Sequence, residues 1–437
     1  MSYLIPLSLI GVGSADVESL SSYVYRLAHV HGVSVLRLLD YAFTWYSEKY
    51  PERAIELGQF RSTKDLSILV RPNETTRKIV EVLSLATGRE DLRCGTFLAF
   101  SMVLDRSSRS FSDRLRWCPR CIFEQLVHRS DVYFKLAWSL TDLTHCPVHQ
   151  LKLSDTCNWC GSYQSKLGIR RSLEYCCGCS QTIYGGAFDE IPIDSWINNA
   201  SDLLECVNLI AHDKTLEFPS NAISCVLSEI LDRAWKNQDE HRLWKIMPRD
   251  DFIGLATGTK SISLLSARRI AFQLGLRLVD LLEGTLRTTS DILDPEWTQN
   301  LPEPMRPRRR PKTGDRDAIL QRFATEYFFT SRYLPPSLKE VARELEVSVG
   351  YLHYHFPLQS QEFIRKHRAY LDSKKQVQGQ EARAAVLDFF TSESNAAISK
   401  SRKNALRVLR LQTYLPKNLL RQEIDFVLRS YSSGCDE

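Results

Sequence analysis

Residues 144–149 read "THCPVH". Alone, a cysteine and a histidine three apart fit a redox thiol beside a base as well as half of a metal site. The chain supplies the second half: "WCPRC" (117–121) carries Cys118 and Cys121, with 24 residues between that pair and Cys146–His149. Two further pairs follow, Cys157 and Cys160 in "CNWCG" and Cys176 and Cys179 in "CCGC", with 15 residues between them. Zinc takes four soft or borderline ligands in a tetrahedron, and a Cys-x-x-Cys turn presents two of them from one tight loop. The spacing therefore predicts two sites: Cys118, Cys121, Cys146 and His149, then Cys157, Cys160, Cys176 and Cys179. In the last pair Cys177 competes with Cys176, and the x-x spacing favours Cys176. Cys94, Cys206, Cys225 and Cys435 have no partner at ligand spacing and read as small core or surface residues.

Both predicted sites hold a full set of four ligands, whereas a catalytic zinc keeps one position open for water. A base deaminase would also place a His-x-Glu before its Pro-Cys-x-x-Cys, and no His-x-Glu occurs in the chain. Two structural zinc ions are the expectation, and no enzyme activity. Structural zinc contributes roughly 10–16 kcal/mol of apparent binding energy to folding, enough to fix a module with little apolar core. A hydrophobic fraction of 43% with 25% charge describes an ordinary globular chain, neither disordered nor membrane-embedded. No apolar run reaches the roughly 18–20 residues that span a bilayer. "MSYLIPLSLIGVGSAD" (1–16) lacks the basic start of a signal peptide. A cytoplasmic chain with reduced thiols is expected, which favours metal ligation over disulfides.

Outside the cysteine-rich stretch the pattern is helical. Leu20, Tyr23, Val24 and Leu27 form one apolar stripe, and Val35, Leu38 and Leu39 begin another. Gly32 ends the first helix and Ser34 caps the second, which makes a helix-turn-helix candidate; an ordinary helical hairpin fits equally well. "GLATGTKS" (254–261) has three residues between its glycines, with Thr259 before Lys260. It therefore departs from a phosphate loop and reads as a helix-flanking loop.

Charge separates the two ends. From residue 301 onward there are 24 Lys and Arg against 16 Asp and Glu, a net of +8, while the rest is net −3. "NLPEPMRPRRRPKTGDRD" (300–317) is an extended basic linker carrying Arg306, Arg308, Arg309, Arg310 and Lys312, suited to phosphate contact. After it, "PPSLKEVARELEVSVGYLHYHFP" (335–357) reads as a helix-turn-helix with Val341, Ala342, Leu345, Val347 and Leu352 at its core. Ser348 caps the second helix, which Pro357 ends. In that motif the second helix enters the major groove of double-stranded DNA. This nominates Ser348, Val349, Tyr351, His353 and Tyr354 for base edges, and Lys339 and His355 for phosphates. "RYLPPSLKEVARELE" (332–346) and "TYLPKNLLRQEIDFVL" (413–428) share Tyr-Leu-Pro-x-x-Leu; a degenerate second copy is one reading, although the second stretch lacks a convincing recognition helix.

The stretches "ESLSSYVYRLAHVHG", "WCPRC…W…THCPVHQLKL…CNWCG…CCGC" and "FQLGLRLVDLLEG" resemble the TniQ/TnsD family, the target-site selectors of Tn-seven-like and CRISPR-associated transposons. The resemblance covers roughly residues 3–290. It implies an N-terminal helix-turn-helix domain, two zinc modules, helical domains beyond them, and no catalysis. It also implies marking of a DNA site and recruitment of an AAA+ ATPase that brings in the transposase. Family members divide into TniQ adaptors, which ride on an RNA-guided Cascade complex, and longer TnsD-like proteins that read a fixed attachment site. The basic linker and the motif at 335–357 favour the second kind. A zinc-containing transcription regulator remains an alternative on the motifs alone.

The expected architecture is mainly α and multi-domain, cytoplasmic and nucleoid-associated in a bacterium. It comprises a helical domain (1–115), tandem zinc modules (116–190), a helical domain (191–300), the linker (301–317) and a DNA-binding domain (318–437).

Overall fold

A computed structural model describes residues 3–53, 69–105, 110–128, 131–164, 172–185 and 200–286, then 317, 319–321, 323, 337–345, 347–392, 399–413, 415 and 417–432. The linker residues Arg306, Arg308, Arg309, Arg310 and Lys312 lie outside these, as does Glu346 in the C-terminal turn. The fold is mainly α; among the described residues β-structure is limited to isolated bridges. The chain divides into two compact units, Met1–Pro307 and Arg308–Glu437.

In the first unit, α1 (Leu20–Val30) and α2 (Val35–Lys49) form the N-terminal pair. Ser19 and Ser34 cap them, each side chain accepting a backbone N–H three residues on, and Gly32 takes φ +62° in the turn. This is the left-handed conformation that a tight helix exit requires. Leu20, Tyr23, Val24, Leu27, Val35, Leu38 and Leu39 are all buried, as the apolar stripes require. α3 (Glu74–Thr87) packs on α2, capped by Asn73 and closed by Gly88 in the left-handed region. Two short 3-10 turns, Leu92–Gly95 and Leu98–Phe100, lead to an aromatic cluster of Phe97, Phe100, Phe111 and Phe218, with ring centroids 5.0–5.8 Å apart.

After the cysteine-rich stretch come α5 (Ser201–His212), α6 (Ala222–Asn237), α7 (Glu240–Ile246), α8 (Arg249–Ala256), α9 (Leu264–Gln273) and α10 (Leu278–Glu283), α4 (Pro119–Val127) lying inside that stretch. One continuous core runs from Leu4 to Leu282, so the segments 1–115, 116–190 and 191–300 all contribute to it. Within it Arg268 is fully buried, paired through two nitrogens with Asp202 (2.7 and 2.8 Å) and with Asp142 at 3.4 Å. This ties α9 to α5 and to the first cysteine module. "GLATGTKS" is the end of α8 and its exit loop: Lys260 reaches back to Asp251 at 2.6 Å, and Thr259 bonds the Gly254 carbonyl.

The second unit has two cores. Ile319, Phe323, Leu338, Val341, Ala342, Leu345, Leu352, Phe356 and Phe363 make the first. It joins α11 (Leu338–Glu344), α12 (Val349–His355) and the start of α13 (Pro357–Thr391). Ala382, Val386, Phe389, Ala405, Leu409, Leu420, Ile424 and Val427 make the second, joining the end of α13 to α14 (Arg402–Gln412) and α15 (Lys417–Ser432). Pro357 ends one helix and opens another. At the first helical position its missing N–H is no loss and its fixed φ suits the helix, so α13 continues for 35 residues. The two Tyr-Leu-Pro stretches fall partly outside the described residues.

Gly95 lies against the start of α1: a Cβ there would come within 2.8 Å of the Glu18 carbonyl oxygen and 3.0 Å of the Leu20 nitrogen. Both are backbone atoms with little room to move. Gly95→Ala is expected to lower stability by about 1–3 kcal/mol, read as a shifted midpoint in urea unfolding; an unchanged midpoint would show that the contact is soft.

Candidate metal centres and nucleic-acid interface

Three of the four cysteine-bearing turns are built alike. The residue after each second ligand, Gln150, Gly161 and Ser180, takes φ between 57° and 68°. Its N–H bonds the carbonyl of the first ligand residue, Cys146, Cys157 or Cys176, at 2.8–3.1 Å. The N–H of that first residue in turn bonds a carbonyl just beyond: Leu151, Ser162 or Gln181, at 2.8–3.0 Å. Such a knot turns both side chains to one side. Gln150 and Ser180 hold a left-handed conformation that non-glycine residues adopt only at a cost of about 1–2 kcal/mol. The fourth turn differs: Cys118 is the N-cap of α4, Pro119 its first residue, and Cys121 sits one turn along.

These turns bring the expected residues together in two groups, each with all its ligand atoms within 4.8 Å of one another. In the first, His149 Nδ1 lies 3.5, 3.3 and 3.7 Å from the sulfurs of Cys118, Cys121 and Cys146, and Cys121 and Cys146 are 3.6 Å apart. In the second, Cys157–Cys179 is 3.7 Å and Cys160–Cys176 is 3.5 Å. Ligands about 2.3 Å (sulfur) and 2.0–2.1 Å (nitrogen) from a central zinc would stand about 3.8 Å (S–S) and 3.5 Å (S–N) apart at tetrahedral angles. The observed edges match those lengths and far exceed the roughly 2.05 Å of a disulfide. Cys177 stands outside the second group, its thiol donating to the Tyr163 carbonyl at 3.0 Å. Gly178 is needed there, because a Cβ would meet Ser162 Oγ at 2.5 Å and Cys160 Sγ at 3.2 Å.

The donor chemistry points the same way. Hydrogen bonds from neighbouring thiols hold Cys146 and Cys176 far below the usual thiol range, while the same neighbours push Cys121 and Cys157 far above it. Packed this closely, the thiols oppose one another's ionisation. A dication at the centre removes that conflict and lets every cysteine ligate as thiolate. Both groups can hold a metal ion.

Around them lie contacts that the spacing did not reveal. Glu124, on the turn of α4 after Cys121, accepts from His149 Nε2 at 2.9 Å. That fixes the hydrogen on Nε2 and leaves Nδ1 as the donor atom toward the sulfurs. Gln164 Nε2 and the Gly178 N–H point at Cys176 Sγ from 3.3 and 3.2 Å. Trp117, fully buried, donates its indole N–H to the Ile183 carbonyl at 3.1 Å and stacks on Phe134, so it fastens the second module to the first. The first module in turn grips α1: Ser19 N–H bonds the Phe134 carbonyl, Leu136 N–H the Val17 carbonyl, and Phe134 N–H the Ser22 hydroxyl. A glutamate three residues from a cysteine or a tryptophan beside one is too common in sequences to have signalled these roles.

Residues 9–153 match the TniQ family profile. The chain carries a TniQ domain. That domain, about a third of the chain, is what it shares with the TniQ family. The matched span runs from the loop before α1 through the first cysteine–histidine cluster; the second cluster and the whole second unit lie beyond it. No curated protein matches the chain.

Past the TniQ domain, α12 displays the other expected site residues. Ser348 caps it, the hydroxyl accepting from Tyr351 N–H at 3.0 Å. Leu352 is buried, whereas Lys339, Ser348, His353 and Tyr354 are exposed, Tyr354 at 82%. Val349 and Tyr351 pack partly on the core, and Tyr351 also lies against His355 at 4.3 Å between ring centroids. The outward face is thus centred on His353 and Tyr354. No described helix is long and apolar enough to cross a membrane.

Cys118→Ser and Cys157→Ser are each expected to release about one metal ion per chain, counted by native mass spectrometry; two ions retained in either variant would overturn that ligand set. Glu124→Ala should leave the count at saturation unchanged and weaken the first site about 10- to 100-fold in competition with a chelator.

Proposed function

We propose that this TniQ-domain protein selects the DNA target in transposition: it binds an attachment site directly through its C-terminal unit and recruits an AAA+ ATPase of the transposition machinery. Two structural zinc ions hold the cysteine modules, and the chain performs no catalysis of its own. The observation that carries the reading is the pairing of a TniQ domain with a helix-turn-helix whose second helix turns His353 and Tyr354 outward. An adaptor riding on an RNA-guided complex has no use for a helix that reads sequence. The excess of 24 basic over 16 acidic residues from residue 301 onward supports phosphate contact. Zinc is favoured among metals because sulfur-rich tetrahedra suit it and a closed ligand set serves structure.

In this reading His353 and Tyr354 meet base edges, with Ser348, Val349 and Tyr351 setting the helix at the groove and Lys339 and His355 near phosphates. The linker residues Arg306, Arg308, Arg309, Arg310 and Lys312 add affinity without sequence preference.

The test is selection of the metal-loaded full chain on random and host duplex DNA at about 150 mM salt, where non-specific binding is weak. One enriched sequence is expected. His353→Ala should reduce affinity for it roughly 5- to 150-fold, the equivalent of a base contact of about 1–3 kcal/mol, and change non-specific affinity far less. Sequence-blind, salt-sensitive binding would instead assign targeting to an RNA-guided partner.

A further inference from the structure

The long helix α13 does not lie on a core along its length. Ser360 and Phe363 are buried at one end and Ala382, Val386 and Phe389 at the other, and no residue from 364 to 381 is buried. Such a span is a strut between two small lobes: α11 and α12 with the start of α13, and α14 and α15 with its end. At 1.5 Å per residue the centres of its two buried patches stand about 35 Å apart. Successive major grooves on one face of B-DNA repeat every ~34–36 Å. With about 100° per residue, the two patches point about 80° apart, so the lobes do not pack on opposite sides of the strut.

The strut itself is cationic. Between 362 and 381 it carries Arg365, Lys366, Arg368, Lys374 and Lys375 against Glu362, Asp372 and Glu381, with Glu362 paired to Arg365 and Lys366, which leaves Arg368, Lys374 and Lys375 along the middle. Arg368 and Lys375, both exposed, fall on the bearing of the far patch, Ala382, Val386 and Phe389. The far lobe is basic as well, with Lys403 and Arg407 exposed on α14, opposite the buried Ala405 and Leu409. An exposed basic helix of this kind is a surface along which the phosphates of a polyanion can lie, and the spacing matches one polyanion in particular.

We propose that α13 is a ruler: it sets two DNA-contacting lobes one helical turn apart along the same face of a duplex, so that the chain reads a bipartite site. α12 enters one major groove, Arg368 and Lys375 face the phosphates between, and Lys403 and Arg407 of α14 meet the next groove. The proposal rests on direct DNA binding by this unit and goes beyond it by fixing the form of the target.

The test compares the full chain with two variants carrying insertions of helix-forming residues after Lys375, of eleven and of twenty-two residues, their helicity checked by circular dichroism. Eleven residues make about three turns and lengthen the strut by about 16–17 Å, half a turn of DNA; twenty-two add about one whole turn. Each protein selects from random duplex DNA and is footprinted on the winner. The expected result is two protected blocks about 10–11 base pairs apart for the native chain. The eleven-residue variant should keep one block and lose about tenfold or more in affinity. The twenty-two-residue variant should regain two blocks, now about 20–21 base pairs apart. A single block for the native chain, or an unchanged spacing in all three, would overturn the ruler while leaving direct recognition standing. No sequence-selected binding by any of the three would remove both. Arg368→Glu with Lys375→Glu, which leaves the length intact, should weaken binding to the two-block site about tenfold or more and flatten its salt dependence; no change would count against phosphate contact by the strut.

Discussion

Two sets of four sulfur or nitrogen donors, each set held within 4.8 Å, are the constraint around which the middle of the first unit is arranged, and each set can hold a metal ion. Among its described residues the stretch from Trp117 to Tyr184 contains one α-helix of nine residues, a short 3-10 turn, isolated bridges and turns, and it places Trp117, Ile122, Phe134, Leu136 and Trp138 in the shared core. Its order passes outward from the clusters. The turn of α4 carries Cys121 and the glutamate that orients His149, Trp117 links the modules, and the segment at 134–136 clasps the start of α1. The helices on either side are therefore joined through a region that shares their core and carries both clusters.

The N-terminal helices were legible because their buried stripes, caps and turn glycine are local features: each of the seven apolar positions named from the periodicity of α1 and α2 is buried. The cysteine pairs were legible for a similar reason, since ligand spacing within a turn is short-range, and the four pairs come together in the expected combinations. What escaped was long-range or context-dependent. Pro357 reads as a stop, because proline breaks a helix interior, and nothing local says that the chain will restart in the same place as a helix of 35 residues. Tyr351 looks like an outward residue by composition, yet it half-buries against the lobe core because Leu352, next to it, fixes the rotation of α12.

The two units thus show two ways of holding helices. The first shares one core from Leu4 to Leu282 with an arginine, Arg268, buried inside it and paired with two aspartates. Removing Asp202 would leave the buried guanidinium with Asp142 alone at 3.4 Å, so the pairing makes the packing of α5, α9 and the first module mutually dependent. The second unit divides its apolar residues into two small cores and spans them with exposed helix. One arrangement suits a rigid platform, the other a surface spread along an elongated partner.

The ligands of the two clusters follow one another in the chain without interleaving: the first set closes between Cys118 and His149, the second between Cys157 and Cys179. Each loop is short, and the entropy of closing it is correspondingly small. During synthesis on the ribosome, the first cluster can therefore close before the second has emerged, and both before the C-terminal unit exists. Modules closed in that order would give the later-emerging helices α5 to α10 a surface on which to fold.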